Sequence, residues 1–445
     1  MSMAWSERAR RQIEQPLQRR SLPFAIVSVL VLFPLSLVWS YFSARRVEKR
    51  KKNMRPEASQ PWIVSVGNVA VGGTGKSPVV RALARLAFAQ GFDVAILARG
   101  AGQSSASLDG IKICSLPSAA GPDAVFSGEI ADELLEHALA LQSEIPLGAQ
   151  LWLAQSVQRD RAALAVCDAR EKEMSRSGEA SKSTHVRQLM ILLDDGLSQY
   201  RLPVHRDVIV WDPQTLLTSP RVCLPFGPYR MGRFGGREWA DSLPRADMCV
   251  WSRLSPDNEQ DFLNTVQAAQ NRLLGRDSLN GIQTADSTQA NDQVAIERTW
   301  MARARMNEPE IGFSLEMISE ADILGDFSVL TGIARPQRFL QSVDGWIRRS
   351  GVKCVVSRIH HLADHAKLNA DSEAFIRDSQ RILITLKDLC RWWKSREVQR
   401  AIRSERVYVL CLEVDLSPVD LQSELPASAT LDPLLRVLKG IKDES

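Results

Sequence analysis

The stretch Gly67-Asn68-Val69-Ala70-Val71-Gly72-Gly73-Thr74-Gly75-Lys76-Ser77-Pro78 sets the narrowest limits on what this chain can fold into. An apolar run at residues 62–66 (WIVSV) precedes it. Residues 76–90 follow, with Val79, Leu83, Leu86 and Ala87 at helical spacing. Pro78 falls in the first turn, where proline is tolerated, and Gly91 stands where a C-terminal glycine cap belongs. Residues 94–98 (VAILA) then read as a second strand. Strand, glycine-rich loop, helix and strand in that order begin a parallel α/β sheet with right-handed crossovers. Gly72, Gly73 and Gly75 carry no side chain, so consecutive backbone N–H groups around Thr74 can turn toward one phosphate. The helix N-terminus adds positive potential. Lys76 can reach β- and γ-phosphates, and the Ser77 hydroxyl can join a Mg²⁺ shell. The sequence departs from the strict GxxxxGK[ST] pattern at Ala70, which stands where the first glycine is expected. A glycine-rich turn with no ligand is the plainer alternative, and the strand and helix on either side weigh against it.

Further short apolar runs at residues 189–193, 208–211, 248–251, 327–330, 352–356, 382–384 and 407–412 read as buried strands, with a helical pattern at 336–349 among those between them. The expected class is α/β: a parallel sheet of the phosphate-loop nucleotide-binding type and a second, smaller α/β domain. The polar residues 170–187 read as an exposed insertion. The Asp-, Asn-, Gln-, Ser- and Thr-rich stretch from 276 marks a boundary. The expected division is 1–55, a basic N-terminus; 56–265, the nucleotide-binding domain; 266–305, a linker or insertion; and 306–445, a C-terminal α/β domain. Seven widely spaced cysteines without a CxxC pair argue for reduced thiols rather than disulfides or zinc. A formal net charge of +4 leaves no electrostatic footprint for nucleic acid.

Residues 22–42 (LPFAIVSVLVLFPLSLVWSYF) carry no charge and are long enough to cross a bilayer. Pro34 would kink a helix there. Arginines at 8, 10, 11, 19 and 20 precede the run, and basic residues from Arg45 to Arg55 follow it. A single span would place one basic cluster on the non-cytoplasmic side, against the positive-inside tendency. A kinked helix dipping into the cytoplasmic leaflet keeps both clusters beside anionic headgroups. Membrane association is expected, with spanning and in-leaflet arrangements both open.

Asp194 and Asp195 end an apolar run, the place where a carboxylate commonly holds Mg²⁺ in phosphate-loop enzymes. Turn initiation or helix capping is the bland alternative. Arg99, Arg201 and Arg230 are candidates for gripping phosphates of substrate or nucleotide; a surface ion pair is the alternative for each.

The run GNxxVGGTGK[ST]P after an apolar strand, behind an apolar N-terminal segment, resembles the tetraacyldisaccharide 4'-kinase family, which also lacks the first glycine. The resemblance continues through LARG at 97–100, DDGLSQYRL at 194–202, RDVIVWD at 206–212, LPFGPYR at 224–230, TGIARPQRF at 331–339, ADH at 363–365 and ITLKD at 384–388. It implies an ATP- and Mg²⁺-dependent lipid kinase of the cytoplasmic face of the inner membrane, in a bacterium with an outer membrane. The substrate it implies is tetraacyldisaccharide 1-phosphate, with no nucleic-acid and no obligate protein partner. It also implies a base that takes the sugar hydroxyl proton, matched by Asp132 with Glu133 near the metal, Glu129 being the alternative alignment. His365 matches the histidine thought to partner that base. Metal ligation then falls to Ser77, Asp194, Asp195 and Glu133. Ser198, Gln199, Met231 and Leu386 replace residues of the family pattern. Two rival readings are a membrane-associated regulatory ATPase, which typically has lysine where Val71 stands, and a degenerate nucleotide-binding protein.

Overall fold

A computed structural model of the chain describes residues 28–52, 61–99, 111–117, 130–177, 187–199, 201–231, 247–253, 259–273, 299–306, 310–311, 325–333, 336, 339–340, 343–344, 347–348, 354–364 and 366–418. The larger sheet begins with β1 (Trp62–Gly67), followed across the glycine loop by α2 (Lys76–Ala89); α1 (Phe33–Lys52) precedes them. Then come β2 (Asp93–Ala98), β3 (Lys112–Pro117), α3 (Asp132–Leu141), β4 (Gln150–Gln155), α4 (Arg159–Ser177) and β5 (Leu189–Asp194). β6 (Arg206–Trp211), α5 (Pro213–Thr218), β7 (Met248–Arg253), α6 (Glu259–Leu273) and β8 (Thr299–Met306) follow. The smaller sheet uses β9 (Glu310–Ile311), β10 (Gly325–Thr331), β11 (Cys354–His361), β12 (Ile382–Thr385) and β13 (Val407–Leu410), with helices α7 (Ala370–Asp378), α8 (Leu386–Trp392) and α9 (Arg396–Arg403). The last described strand, β14 (Leu412–Pro418), returns to the larger sheet.

The larger sheet has nine strands in the order β14-β8-β7-β6-β1-β5-β2-β4-β3. Its seven inner strands are parallel, and both edges, β14 and β3, are antiparallel. Every residue of β2 and β5 is buried, as expected where helices cover both faces of a parallel sheet and strands become continuous apolar runs. The smaller sheet runs β11-β10-β12-β13-β9, parallel except for β9. One apolar cluster joins the two layers. It extends from Val79, Leu83 and Ala87 of α2 to Ile384, Leu389 and Val409 of the smaller unit.

The chain crosses between the sheets twice, close together. β8 pairs with β14 in the larger sheet and β9 with β13 in the smaller, both antiparallel, so two adjacent strands pass from one sheet to the other. The expected linker, 266–305, thus contributes most of β8, and the expected C-terminal domain contributes β14 to the larger sheet. The apolar run 407–412 is two strands separated by Cys411. The first eight residues of the polar stretch 170–187 continue α4.

α1 is preceded by a π-helical turn, Ser28–Leu32, and its sidedness is inverted. Ser36, Ser40 and Ser43, spaced to share one face, are buried, whereas Leu30, Leu35, Val38, Trp39, Tyr41 and Phe42 are exposed. Ser36 donates to the carbonyl of Cys223, Trp39 Nε1 donates to the carbonyl of Arg230 at 2.8 Å, and Phe33 meets Phe226 edge-on. Among the described residues no helix is long and apolar enough to cross a membrane.

Candidate active site

The glycine loop is anchored before it turns. Ala70 bridges Tyr229, Val71 N donates to Pro228 O at 2.7 Å, and Arg230 N donates to Val69 O at 2.7 Å. Ala70 is therefore buried in a strand-like pairing, a position that accepts a side chain, and this explains the missing first glycine. The positive φ values needed to turn the amides inward fall on Gly72 (116°) and Gly75 (79°) instead. Asn68 cross-links the loop: its Nδ2 donates to Thr74 Oγ1 and its Oδ1 accepts from Lys76 Nζ, both at 2.9 Å. Lys76 Nζ also lies 3.7 Å from Asp195 Oδ1. Burial lowers the Lys76 pKa, partly opposed by the Asp195 carboxylate.

β5 delivers Asp194 to the same place because the parallel register sets Val66 beside Asp194. Ser77 Oγ sits 3.4 Å from Asp194 Oδ2, and His137 Nε2, on α3, is 3.0 Å from that oxygen. Arg159, at the start of α4 and buried, donates to the Asp194 carbonyl at 3.1 Å. Burial pushes the Asp194 carboxyl up, but the His137 hydrogen bond and charge, with Lys76 and Arg159, outweigh it and hold the pKa down at about 2. Asp195 takes a left-handed backbone (φ 56°), and Arg230 Nη1 donates to both its carboxylate oxygens at 2.8 and 2.9 Å. Burial again raises the Asp195 carboxyl, and Lys76 and Arg230 outweigh it so that the net direction is down.

Asp132 and Glu133 occupy the first turn of α3, where carboxylates meet the positive end of the helix. Gln155 Oε1, at the end of β4, accepts from Ala131 N at 2.8 Å and ties this helix start to the strand ends. The Glu133 pKa is raised, first by burial and then by the charges of Asp194 and Asp132, which places it at the same cluster. From the smaller unit, α8 brings Arg391 Nε to 3.8 Å from Asp132 Oδ2.

Of the residues expected from sequence, the structure gathers Lys76, Ser77, Asp194, Asp195, Glu133 and Arg230 around the loop of Gly72, Gly73, Thr74 and Gly75, with Asp132 beside Glu133 at the start of α3 and facing Arg391. Thr74 is buried against Asn68, so its side chain shapes the loop. Arg99 directly follows β2, exposed, with its charge felt by Arg159. Arg201 is exposed and enters none of these contacts among the described residues. His365 and Glu129 lie outside the described residues. Asn68, His137, Arg159 and Lys387 were not singled out from sequence. His137 follows Glu133 by four positions, one turn along the same helix face, which was a readable signal. The Lys387 charge acts on both Lys76 and Glu133. Two of the altered family positions, Met231 and Leu386, are buried in apolar clusters and serve packing.

The donors of Ser77 and Asp194 are all oxygen, the set that suits a hard cation, and His137 fixes the carboxylate through the same Oδ2 that Ser77 approaches. No group of three or more His, Cys, Asp or Glu placed to hold a metal occurs among the described residues.

Comparison with known proteins bears on the whole chain. A family model described as tetraacyldisaccharide-1-P 4'-kinase (LpxK) matches residues 28–429. A curated tetraacyldisaccharide 4'-kinase of Francisella tularensis subsp. novicida (strain U112) is 30% identical over 241 residues, 53% of this chain and 61% of that protein. The counterpart from Francisella tularensis subsp. tularensis (strain WY96-3418) is 29% identical over the same length. The chain thus spans about three fifths of the length of these relatives, 61% in each case. Among solved structures, LpxK from Aquifex aeolicus, described as an apo form in complex with ATP, superposes with a TM-score of 0.54 at 17% identity. The match covers 93% of this chain and 98% of that one, and it establishes a shared fold.

Proposed function

The chain belongs to the tetraacyldisaccharide-1-P 4'-kinase family, and from that premise we propose that it transfers the γ-phosphoryl group of ATP to the 4'-hydroxyl of a tetraacyldisaccharide 1-phosphate. The observation that carries the reading is the convergence on one glycine loop of a partly buried lysine, the Ser77–Asp194 pair and Glu133 from the first turn of α3. Such a set serves phosphoryl transfer, where positioning and charge stabilisation do most of the catalysis.

The loop amides and Lys76 bind the β- and γ-phosphates, with Asn68 aiming the ammonium. Ser77 and Asp194, with Asp195 and Glu133 nearby, would hold Mg²⁺, which when bound neutralises charge on the phosphates. Asp132 accepts the 4'-hydroxyl proton as the new oxygen–phosphorus bond forms in line and the bond to the departing ADP oxygen breaks. Arg230 fixes Asp195 so that its charge stays beside Lys76. The exposed apolar side of α1 lies in the cytoplasmic leaflet, with the basic residues at 45–55 against anionic headgroups, so that the acyl chains of the acceptor remain in lipid.

The test is transfer of label from γ-labelled ATP to tetraacyldisaccharide 1-phosphate by detergent-purified full-length protein with Mg²⁺. Wild type transfers label; Lys76→Ala and Asp132→Asn do not, while keeping the wild-type circular dichroism spectrum. Turnover by folded Lys76→Ala refutes the site, and turnover by Asp132→Asn moves the base elsewhere.

A further inference from the structure

Arg391 is a single cation set among three carboxylates that come from different parts of the fold. It lies on α8 of the smaller unit, and its side chain is 8% exposed. Two partners from its own unit orient it. Nη1 donates to the Gly332 carbonyl at 2.8 Å and lies 3.4 Å from Asp388 Oδ1. Asp388 is itself fixed by Thr331 Oγ1, Thr385 Oγ1 and Gly332 N at 3.1, 2.8 and 3.2 Å. The guanidinium thus has little freedom to turn. Its remaining donors, Nε and Nη2, are buried and make no hydrogen bond. They point instead at two carboxylates just beyond hydrogen-bond range: Nε is 3.8 Å from Asp132 Oδ2, and Nη2 is 3.6 Å from Asp364 Oδ1.

Asp132 opens α3 of the larger unit, and Asp364 sits in the turn after β11 of the smaller one. Two carboxylates brought to one place repel, and a shared guanidinium turns that repulsion into attraction through two separate N–H vectors. Lysine, a single point charge on a flexible stem, cannot present two such vectors. Buried donors without acceptors also carry a desolvation cost that the ion pairs offset only while both acids stay close.

We propose that Arg391 is the positioning residue that holds the Asp132 carboxylate against the Asp364 turn, and so keeps the base in place where the two units meet. This rests on the reading of Asp132 as the base. It assigns Arg391 no contact with ATP, so its loss acts on turnover and leaves nucleotide binding alone.

The experiment measures kcat and the KM for ATP in the label-transfer assay for Arg391→Met, Arg391→Lys, Asp364→Asn, the double variant Arg391→Met/Asp364→Asn, and Asp132→Asn. Arg391→Met is expected to lower kcat about tenfold or more, the scale of losing a well-placed base, with KM for ATP within about twofold of wild type. Removing the opposing charge relieves the repulsion, so the double variant is faster than Arg391→Met alone. A merely structural role predicts a double variant no faster than either single one. Arg391→Met with wild-type kcat, or a loss that Asp364→Asn deepens, overturns the proposal. Should Arg391→Met fail to fold, Arg391→Lys decides: a lowered kcat at unchanged KM supports the proposal, and an unchanged kcat overturns it. An active Asp132→Asn marks failure of the base reading. An inactive Asp132→Asn beside a fully active Arg391→Met marks failure of the Arg391 assignment alone.

Discussion

Replacing His137 with leucine tests the electrostatics beneath the phosphate loop. The side chain is fully buried and its Nε2 is 3.0 Å from Asp194 Oδ2. The Asp194 carboxyl is held from its ordinary 3.8 down to about 2, and at about 1.36 kcal/mol per pH unit that difference is worth about 2 kcal/mol at neutral pH. A hydrogen bond to a charged group is independently worth about 1.5–3 kcal/mol, so the two routes agree. The sign is set by the direction. A depressed carboxyl stabilises the fold above pH 3.8, and the stabilisation is lost as pH falls toward 2. Without His137 its hydrogen bond and charge no longer oppose burial, so the carboxyl moves up, with Lys76 and Arg159 still drawing it down. The contribution above pH 3.8 then shrinks, and the variant has less to lose as pH falls. Urea unfolding followed by tryptophan fluorescence from pH 7 to 4 measures this. His137→Leu is expected to lose about 2 kcal/mol at pH 7, several tenths of a molar in midpoint for a slope of about 3 kcal/mol/M, and the gap to wild type narrows toward pH 4. Equal midpoints at pH 7, or a gap that widens on acidification, refute the reasoning.

Other outcomes follow from the same geometry. Gly196→Ala places a Cβ 2.6 Å from Ser65 Oγ and 2.7 Å from Leu193 Cβ, so it is expected to cost about 1–3 kcal/mol in urea unfolding; a neutral substitution shows that the turn after β5 can yield. Asp388→Ala strands Thr331, Thr385 and the Gly332 amide and is expected to lose about 3 kcal/mol at about 1 kcal/mol per bond. Hydrogen exchange of β10 and β12 amides checks it, and unchanged protection refutes it. Leu30→Asp with Phe42→Asp puts charge on the exposed apolar side of α1 and the turn before it, at about 2–3 kcal/mol per acid if that side lies in hydrocarbon. Co-flotation with anionic liposomes should fall at least tenfold, and unaltered flotation removes the lipid contact.

The sequence was most readable where burial is complete. β1, β2, β5, β6 and β7 show as short apolar runs because helices cover both faces, whereas β4 (QLWLAQ), with a glutamine at each end, was not read as a strand, and the loop of β1–α2 announces itself through its glycines. β8 (TWMARARM) and β14 (LEVDLSP) escaped because polar residues interrupt them, three of eight and three of seven, and each is recognisable only through the other. Asp194 at the end of β5 and Asp195 just after it were legible as strand-end carboxylates. The groups that tune them were not, since His137 and Arg159 reach Asp194 only through tertiary packing across 57 and 35 residues of chain. Arg391 stands three places after Asp388 and reads as an ordinary helix ion pair until the fold sets Asp132 beside it.

The pair of strands linking the sheets limits how the two units can move. A single connecting strand would leave the smaller unit free to swivel as well as swing. Here β8 continues toward β9 while β13 continues into β14, with the partners bonded on both sides of the crossing. Swivelling would shear those ladders, whereas bending across the ribbon strains neither. Relative motion of the units is thereby confined to bending about the ribbon. The Gly332 loop, the Asp364 turn and Arg391 lie on one side of that bend and Asp132 on the other, so the separation of Arg391 from Asp132 is the distance that reports it.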